Sequence, residues 1–456
     1  MPLHVAAVEG HSVIPDTFFS YLELIDDTFW SYAGVPALLI LGFYFSVKAG
    51  FMQITQFGKI TKIFFSFLGE KEKKEAEVRG IPGIKAFFAA VGGCIGIANL
   101  VSVCSAVQIG GPGAVFWMWM AAFLGMIVKY AEIYVGMKYR VKNKTGGYDG
   151  GPMYFLQHAT NNTWIPKIAC VLLCIYGVDM YIFRTVAQSF IQTWHWNTYA
   201  VTAALLCAVI FGGEQGIKRV GTISSVIIPF FLLAFLGCGS WIFLTHWRLL
   251  PGVFYTIFVS AFTPHAAVGA FTGASLLTTI SYGTKRACYT GDIGIGYASI
   301  IHSESEETDP ARQASLGIFG IFLDTFVVCT MSVLLILLTG AWHQGLPEQH
   351  VVPYVMSQYI PGITLIWPLF IFMLGYSTLL AIFASGKKAA QFLSPTYGPG
   401  FYNLYAIIMF LVFSFIGTDA QIMAPMALVG GLLLVINVCG LIKLRKSIHY
   451  KLSLKK

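Results

Sequence analysis

The chain contains few charged residues. Only 11% of its 456 residues are Asp, Glu, Lys or Arg, whereas 56% are hydrophobic. An ordinary soluble domain carries about 25% charged residues. This shortage of charge excludes a soluble globular protein and predicts a polytopic membrane protein. The net charge of +8 does not indicate nucleic-acid binding, because the basic residues lie mostly in loops between apolar segments. In such loops they orient a chain in the membrane.

Patterns typical of disulfide and metal sites are also missing. The chain has nine cysteines, an odd number, and most lie inside apolar stretches. We therefore expect small packing side chains rather than a disulfide framework. The ten histidines show no HExxH or Cys/His spacing, so we expect no zinc site. No basic residue precedes Lys48, so the basic region of a signal peptide is missing.

Long apolar runs make up most of the remaining sequence. A transmembrane helix needs about 20 apolar residues, and the sequence predicts about eleven spans. They are 31–52, 84–108, 113–138, 166–190, 199–213, 219–246, 285–303, 312–340, 363–385, 399–416 and 420–443. The stretch 249–283 is apolar but contains Pro251, Pro264 and several glycines. We predict a re-entrant or extracytoplasmic excursion there, with a twelfth span as the alternative.

Loop charge predicts the orientation. Basic residues alternate with Lys- and Arg-poor loops along the chain, which is the positive-inside pattern. It places the N-terminus outside and the C-terminus in the cytoplasm. The predicted divisions are an extracytoplasmic segment (1–30), an extra helix with a basic cytoplasmic loop (31–83), a first five-helix repeat (84–248), the excursion (249–283), a second repeat (284–443) and a basic cytoplasmic tail (444–456).

Two short sequence motifs indicate an internal repeat. "CIGIAN" at 94–99 and "DIGIGY" at 292–297 are nearly the same, and a shift of roughly 200 residues pairs five spans of one half with five of the other. Because five is odd, the second half enters the membrane in the opposite orientation. The sequence therefore predicts an all-α protein with a 5+5 inverted repeat, a construction common in secondary transporters, preceded by one extra helix.

The first span of each half carries the repeated glycines. Broken helices free backbone groups that must line a cavity or bind a ligand, because lipid cannot satisfy them. Half-helix N-termini attract a carboxylate and freed carbonyls suit a small cation, so both breaks suit a zwitterionic amino acid that moves with Na⁺ or H⁺. The alternative, close helix packing through small residues, is less favoured because two matched spans carry the pattern.

Several longer motifs resemble the alanine/glycine:cation symporter family, the sodium:alanine symporters of the amino acid–polyamine–organocation superfamily. These motifs are "GGPGAVFWMW" (110–119), "KYAE" (129–132), "GGPMYF" (150–155), "AAVGAFTGA" (266–274), "DTFVVCT" (324–330) and "LLTGAW" (337–342). The resemblance implies a LeuT-like fold and inward transport of alanine, glycine or a similar amino acid with Na⁺. It implies no enzyme activity, no resident cofactor and a prokaryotic inner (plasma) membrane. The oligomeric state stays open, with a monomer as one arrangement.

The chain departs from the family pattern at the breaks. Ile97 replaces a threonine of the family's G-T-G-N, although Asn99 remains. The second break keeps an aromatic residue and an acid, Tyr289 and Asp292. Ser377 and Thr378 keep two hydroxyls, whereas Ile382 replaces a tryptophan. Fold and transport class therefore follow from the resemblance more firmly than the substrate or the coupling ion.

These considerations select the candidate site residues. The substrate-binding candidates are Gly96, Ile97, Ala98, Asn99, Asp179, Tyr289, Gly291, Asp292, Gly294 and Ile382. The ion-binding candidates are Gly93, Gly96, Ser377 and Thr378, with Na⁺ at Gly93, Ser377 and Thr378. The gating or coupling candidates are Arg184, Asp292 and Asp324.

Charges within spans are functional candidates because each costs at least about 2.5–3.5 kcal/mol at bilayer depth. Lys129 and Glu132 are three residues apart, which favours a structural ion pair. Asp179 and Arg184 either contact substrate or fix helix packing. Asp324 has a packing or gating role at least as readily as a ligand role.

Two other kinds of function stay open. A proton-coupled or uncoupled permease for another small amino acid is the alternative within transport. An intramembrane protease is suggested faintly by "YTGD" at 289–292, but it gives no reason for an inverted repeat. A channel would need a continuous polar path, which two broken helices do not provide.

Overall fold

The chain is almost entirely helical in a computed structural model. The structure describes residues 16–70, 80–143, 146–263, 275–416 and 418–453. The family-like motif at 266–274, the first part of the predicted extracytoplasmic segment and the end of the tail lie outside these residues.

An interrupted helix precedes the repeat. It consists of α1 (Asp16–Phe29), a π-helical turn (Trp30–Gly34) and α2 (Val35–Lys48), and the short α3 (Met52–Thr55) and α4 (Phe57–Gly69) follow. The apolar part that could span a membrane is Leu24–Lys48, so it begins earlier than the predicted 31–52. The charged Asp26 lowers the hydropathy of the first residues of this span, which is why the sequence prediction began later. Its carboxylate is buried and paired with the Lys285 ammonium.

The two halves have matching elements. The first half comprises α5 (Gly83–Cys94), a 3₁₀ turn (Ile97–Asn99), α6 (Ser102–Gly110), α7 (Ala114–Lys138), α8 (Pro152–Thr160), α9 (Trp164–Tyr176), α10 (Met180–Trp194), α11 (Thr198–Glu214) and α12 (Gly216–Thr245). The second half comprises α14 (Leu276–Thr290), α15 (Tyr297–Ser303), α16 (Pro310–Ile321), a π-helix (Phe322–Cys329), α17 (Thr330–Thr339), α18 (Glu348–Tyr359), α19 (Ile363–Leu393), α20 (Gly398–Phe415) and α21 (Asp419–Leu444). The predicted repeat is confirmed, and α8 and α18 occupy equivalent places in it.

Smaller elements connect these helices. A two-stranded antiparallel hairpin, β1 (Val141–Lys142) and β2 (Tyr148–Asp149), follows α7. A 3₁₀ turn (Trp247–Leu249) and α13 (Leu250–Ser260) occupy the start of the predicted excursion. Further 3₁₀ turns are Ala341–His343 and Arg445–Ser447.

The second broken span begins earlier than predicted. Helix α14 starts at Leu276, inside the stretch 249–283, whereas the sequence placed the span at 285–303. Polar residues lower the hydropathy of its first turns, but they are satisfied internally: the Thr279 hydroxyl donates to Gly110 O (2.9 Å). The division of the chain into segments stays a prediction.

Among the described residues, eight helices are long and apolar enough to cross a membrane, and the bent pair α5–α6 makes a ninth. Helix α11 is a shorter apolar helix, and α14–α15 form the second broken pair. The count of eleven spans stays a prediction. Helix α7 packs against both α14 and α16. Helices α12 and α20 expose apolar side chains such as Leu233 and Phe401, as lipid-facing helices do.

Candidate functional site

The first break is held open by one amide side chain. Helices α5 and α6 meet at an angle of 55°, and the Gly96 N–H donates to Asn99 Oδ1 (2.9 Å) rather than to a helical carbonyl. Asn99 Nδ2 in turn donates to Asp324 Oδ1 (2.5 Å). Asp324 lies on the π-helix Phe322–Cys329, and short π-helical turns are frequent at functional sites. Asn99 and Asp324 therefore stabilise the backbone of the first break through these hydrogen bonds.

The second break contains left-handed backbone. Asp292, Gly294 and Gly296 have φ of 45°, 75° and 103°. Gly296 also has no room for a side chain, because a Cβ there would lie 2.3 Å from Pro152 Cγ. Freed carbonyls find partners on other helices: Gly294 O accepts from Asn437 Nδ2 (3.0 Å). Breaks of this kind persist in a membrane because protein groups satisfy them.

A cavity of about 80 Å³ lies between the two breaks. It receives residues from both broken helices, from the α9–α10 junction, from α19 and from α21. The lining residues are Gly93, Cys94, Gly96, Ala98, Ser102, Tyr176, Asp179, Tyr181, Ile182, Arg286, Tyr289, Asp292, Thr378, Ile382, Met423, Met426 and Ala427.

The cavity has one polar and one apolar side. Asp292 is 3% exposed, and its Oδ1 accepts from the Tyr176 hydroxyl (3.0 Å). Asp179 caps α10, with Oδ1 accepting from Ile182 N (2.8 Å). Apolar side chains come from α19 and α21, including Ile382 and Met426, although Thr378 of α19 also lines the cavity. A small zwitterion with a short apolar side chain matches this division.

Two hydroxyls of α19 face the first break beside the cavity. Ser377 Oγ and Thr378 Oγ1 each lie 3.1 Å from Gly92 O, and each also bonds Leu374 O in its own helix. The carbonyl that they face belongs to Gly92 rather than to the predicted Gly93. This cluster of hard oxygen donors suits a small cation such as Na⁺.

The structure brings most of the predicted site residues to one place. Eight of them line the cavity: Gly93, Gly96, Ala98, Asp179, Tyr289, Asp292, Thr378 and Ile382. Five lie beside or behind it: Ile97, Asn99, Gly291, Gly294 and Ser377. Asn99 and Gly291 bond protein partners instead of facing the cavity.

The three gating or coupling candidates occupy different places in the structure. Asp292 lines the cavity, whereas Asp324 stands behind Asn99. Arg184 Nη1 lies 3.4 Å from Ile416 O and 3.5 Å from Phe413 O at the end of α20. Arg184 is not among the residues that line the cavity, and its gating or coupling role stays a prediction.

The predicted ion pair of Lys129 with Glu132 is replaced by other contacts. Lys129 Nζ donates to Gly291 O (2.6 Å) and to Cys94 Sγ (2.9 Å). Glu132 Oε1 accepts from Ser299 N (3.2 Å). The residues share a helix face, as their spacing predicts, but that face packs against the second broken helix, which offers each charge its own backbone partner.

Sequence reasoning missed several lining residues. Arg286 is 7% exposed and donates to the Ser105 hydroxyl, while its Nε has no hydrogen-bond partner among the described residues. Arg286 lies one helical turn before Thr290, close to the predicted second break, and this spacing could have identified it from the sequence. Tyr176, three residues before Asp179, could have been identified in the same way. Nothing in the sequence pointed to the α21 methionines, because α21 lies at the far end of the second repeat.

Ion pairs are concentrated on the face that carries the predicted basic loops, here called the basic face. Lys388 Nζ bonds Asp149 Oδ1 (2.8 Å) and lies 2.7 Å from Glu304 Oε1. Burial raises the pKa of the Glu304 carboxyl above its ordinary value, and the nearby Lys388 ammonium offsets only part of this effect. Arg312 pairs with Glu307 and also with Glu70. These pairs join different elements across the basic face.

Relatives of known class match nearly the whole chain. The family model described as the sodium:alanine symporter family covers residues 16–454. An uncharacterized transporter of Haemophilus influenzae is 32% identical over 95% of both chains. The sodium/alanine symporter AgcS of Methanococcus maripaludis is 31% identical over 89% of both chains.

Solved structures show the same fold. The chain matches MhsT in complex with L-phenylalanine with a TM-score of 0.57 and 13% identity, covering 80% of this chain and 89% of that one. It matches a Na⁺-coupled sialic acid symporter with a TM-score of 0.50 and 12% identity, covering 91% and 86%. The solved structures show the LeuT fold, whereas the family model and the relatives show a secondary transporter of amino acids and not an enzyme, and the chain belongs to the sodium:alanine symporter family.

Proposed function

We propose that the protein carries a small neutral amino acid of the alanine or glycine type together with Na⁺, by alternating access around the cavity between the breaks. The observation that carries this proposal is the cavity itself. It joins a buried carboxylate, a left-handed break and a freed backbone on one side to an apolar wall on the other.

The size of the cavity supports a small substrate. A water-sized group needs about 10–15 Å³ of such volume, so a cavity of about 80 Å³ holds roughly five to eight of them. Glycine and alanine fall within this range. A large aromatic side chain exceeds it unless α21 moves.

Charge supports a zwitterion. The Asp292 carboxylate offers a charge-assisted hydrogen bond to a substrate ammonium. Backbone at Ala98 and the buried Arg286 guanidinium, both on the lining, supply the positive side for a carboxylate. The apolar wall at Ile382 then takes the side chain.

Sodium coupling rests on the hydroxyl pair and on kinship. Ser377, Thr378 and Gly92 O provide oxygen donors next to the cavity, so substrate and ion would share the first broken helix. A relative described as a sodium/alanine symporter aligns over 89% of this chain. We place the protein in a prokaryotic plasma membrane, with its N-terminus outside and residues 444–456 in the cytoplasm.

A proton-coupled permease is the second candidate. Two carboxylates, Asp179 and Asp292, line the cavity, and a buried carboxylate can carry a proton in place of a metal ion. Under this function, a protonophore would abolish uptake and replacing Na⁺ by choline would not.

Counterflow in proteoliposomes tests the proposal. Preloaded vesicles are offered labelled glycine, alanine, serine, glutamine and phenylalanine, in Na⁺ or in choline. We expect exchange of glycine or alanine that requires Na⁺. Exchange that persists in choline, together with net uptake that a protonophore abolishes, would favour the second candidate instead.

A pair of variants locates the ion. The double variant Ser377→Ala/Thr378→Val should raise the Na⁺ concentration for half-maximal exchange by about tenfold or more, because it removes two oxygen donors. Ser385→Ala is the matched control: Ser385 lies on the same helix and is equally buried, but it bonds its own Ala381 O (3.0 Å). An unchanged Na⁺ requirement in the double variant would remove the ion from this place.

A further inference from the structure

Lys129 places a positive charge where the two broken helices meet. The side chain lies on α7 and is 3% exposed. Its ammonium donates to Gly291 O of the second broken helix and to Cys94 Sγ of the first. Cys94 Sγ is also 3.6 Å from Asp292 Oδ2. One covalently attached cation therefore contacts both breaks directly behind the cavity.

Glu132 lies one turn further along the same face. Gly291 is the residue that ends α14, and Ser299 lies in the first turn of α15. Lys129 thus contacts a carbonyl at the C-terminal end of one half-helix, and Glu132 contacts an amide at the N-terminal end of the other. Each charge has the sign that stabilises the helix end it contacts.

We propose that Lys129, supported by Glu132, is the positioning residue of the second break and that its ammonium takes the place of a cation at Gly291 O, next to the Cys94 thiol that contacts Asp292, so that the protein takes up a single Na⁺. This inference rests on the proposed Na⁺ coupling for its statement about ion number. Its statement about Lys129 does not depend on which substrate is carried.

The neighbouring groups explain why a cation is needed there. Asp292 accepts hydrogen bonds from two side chains, the Tyr176 hydroxyl and the Cys94 thiol, and both are neutral donors. A carboxylate and a freed carbonyl in a dry interior are costly without a positive charge. If Lys129 is neutralised by substitution, the same oxygens become a vacant position that a free Na⁺ can enter.

Thermal unfolding of the substrate-free protein in Na⁺ or choline tests this directly. In choline, Lys129→Gln should lower Tm by roughly 5 °C or more, because a buried charge loses its partner. In Na⁺, a substantial part of that loss should be recovered. Lys129→Arg keeps the charge and should show a smaller loss with little Na⁺ recovery. Lys138→Gln is the matched control, since Lys138 lies on the same helix but is exposed and bonds Ser447 O (2.9 Å).

Two results would overturn the proposal. One is a Lys129→Gln protein that melts like the wild type in choline. The other is an equal loss in Na⁺ and in choline, which would make Lys129 a packing residue without a cation position. Because no substrate is added, both results are independent of the counterflow outcome.

The wild-type protein supplies a second test in case Lys129→Gln fails to fold. Its Na⁺ dependence of substrate exchange should have a Hill coefficient of about one. A coefficient of about two would show a second free ion and contradict the proposal. Failure of every amino acid to exchange would refute the proposed function, while the unfolding test in Na⁺ and choline would still decide the role of Lys129.

Discussion

Asp292 meets two demands at a single position. Its backbone has a φ of 45°, a conformation in which Asp and Asn are enriched among residues other than glycine. Its carboxylate lies on the cavity and accepts from Tyr176. The first demand comes from the local backbone and the second from the site, and aspartate satisfies both.

Asp292→Asn separates these two demands. Asparagine tolerates the same backbone and has nearly the same size, but it lacks the charge that a substrate ammonium requires. We expect a loss of substrate affinity of about tenfold or more, measured by equilibrium binding of labelled alanine, with the protein still folded. Asp27→Asn is the control, because Asp27 is half exposed and pairs with Lys285 (3.2 Å). Wild-type affinity in Asp292→Asn would remove Asp292 from the substrate site.

At the scale of elements, the two broken helices pack against each other as well as around the cavity. Gly93 of α5 faces Tyr297 of α15, and a Cβ at Gly93 would lie 1.5 Å from the Tyr297 hydroxyl oxygen. The tyrosine is 1% exposed and its hydroxyl donates to Ala90 O (3.3 Å). Glycine at this position is therefore required by tertiary contact in addition to any helix bending.

Gly93→Ala should destabilise the protein by at least about 1–3 kcal/mol, because a buried aromatic ring and a helix must move apart. The measurement is a Tm in detergent with substrate-free protein. Gly58→Ala on α4 is the control: that glycine is exposed and a Cβ there meets nothing within 4 Å, so Tm should stay the same or rise slightly. Equal Tm values for the two variants would contradict the close packing of the broken helices.

At the scale of the whole molecule, ion pairs join separate elements on the basic face. Lys388 on α19 joins the hairpin strand β2 through Asp149 and the end of α15 through Glu304. Under the proposed alternating access, the second broken helix separates from α19 on one face, and both Lys388 ion pairs then open when the cavity opens toward the basic face.

Lys388→Met should make that opening easier. We expect labelling of Cys94, which lines the cavity, by an impermeant maleimide added from the basic face to rise about three- to tenfold, since 1.4 kcal/mol corresponds to about tenfold in an equilibrium. The readout is mass spectrometry of the Cys94 peptide. Lys387→Met is a matched control, because the neighbouring Lys387 pairs with Glu214 (2.7 Å) on α11. Equal labelling in the two variants would place the gate elsewhere.

Much of the fold could be predicted because its signals are local. Glycine spacing and apolar runs located both halves, and a shift of the sequence paired them. The start of α14 could not be predicted in this way. Its polar residues lower the hydropathy, and the partners that satisfy them, such as Gly110 O for Thr279 and Ser105 for Arg286, lie far away in the chain.

The sequence by itself determined the class of protein, the inverted repeat, the two breaks and eight of the residues that line the cavity. These features depend on composition and on spacing along one helix. Only the tertiary structure decided that Asn99 supports a break instead of lining the cavity, that Gly92 rather than Gly93 faces the hydroxyls, and that Lys129 and Glu132 bind a broken helix rather than each other. The physical reason is that a buried polar group bonds whichever partner the packing brings within reach, and a neighbour along the chain is one candidate among several.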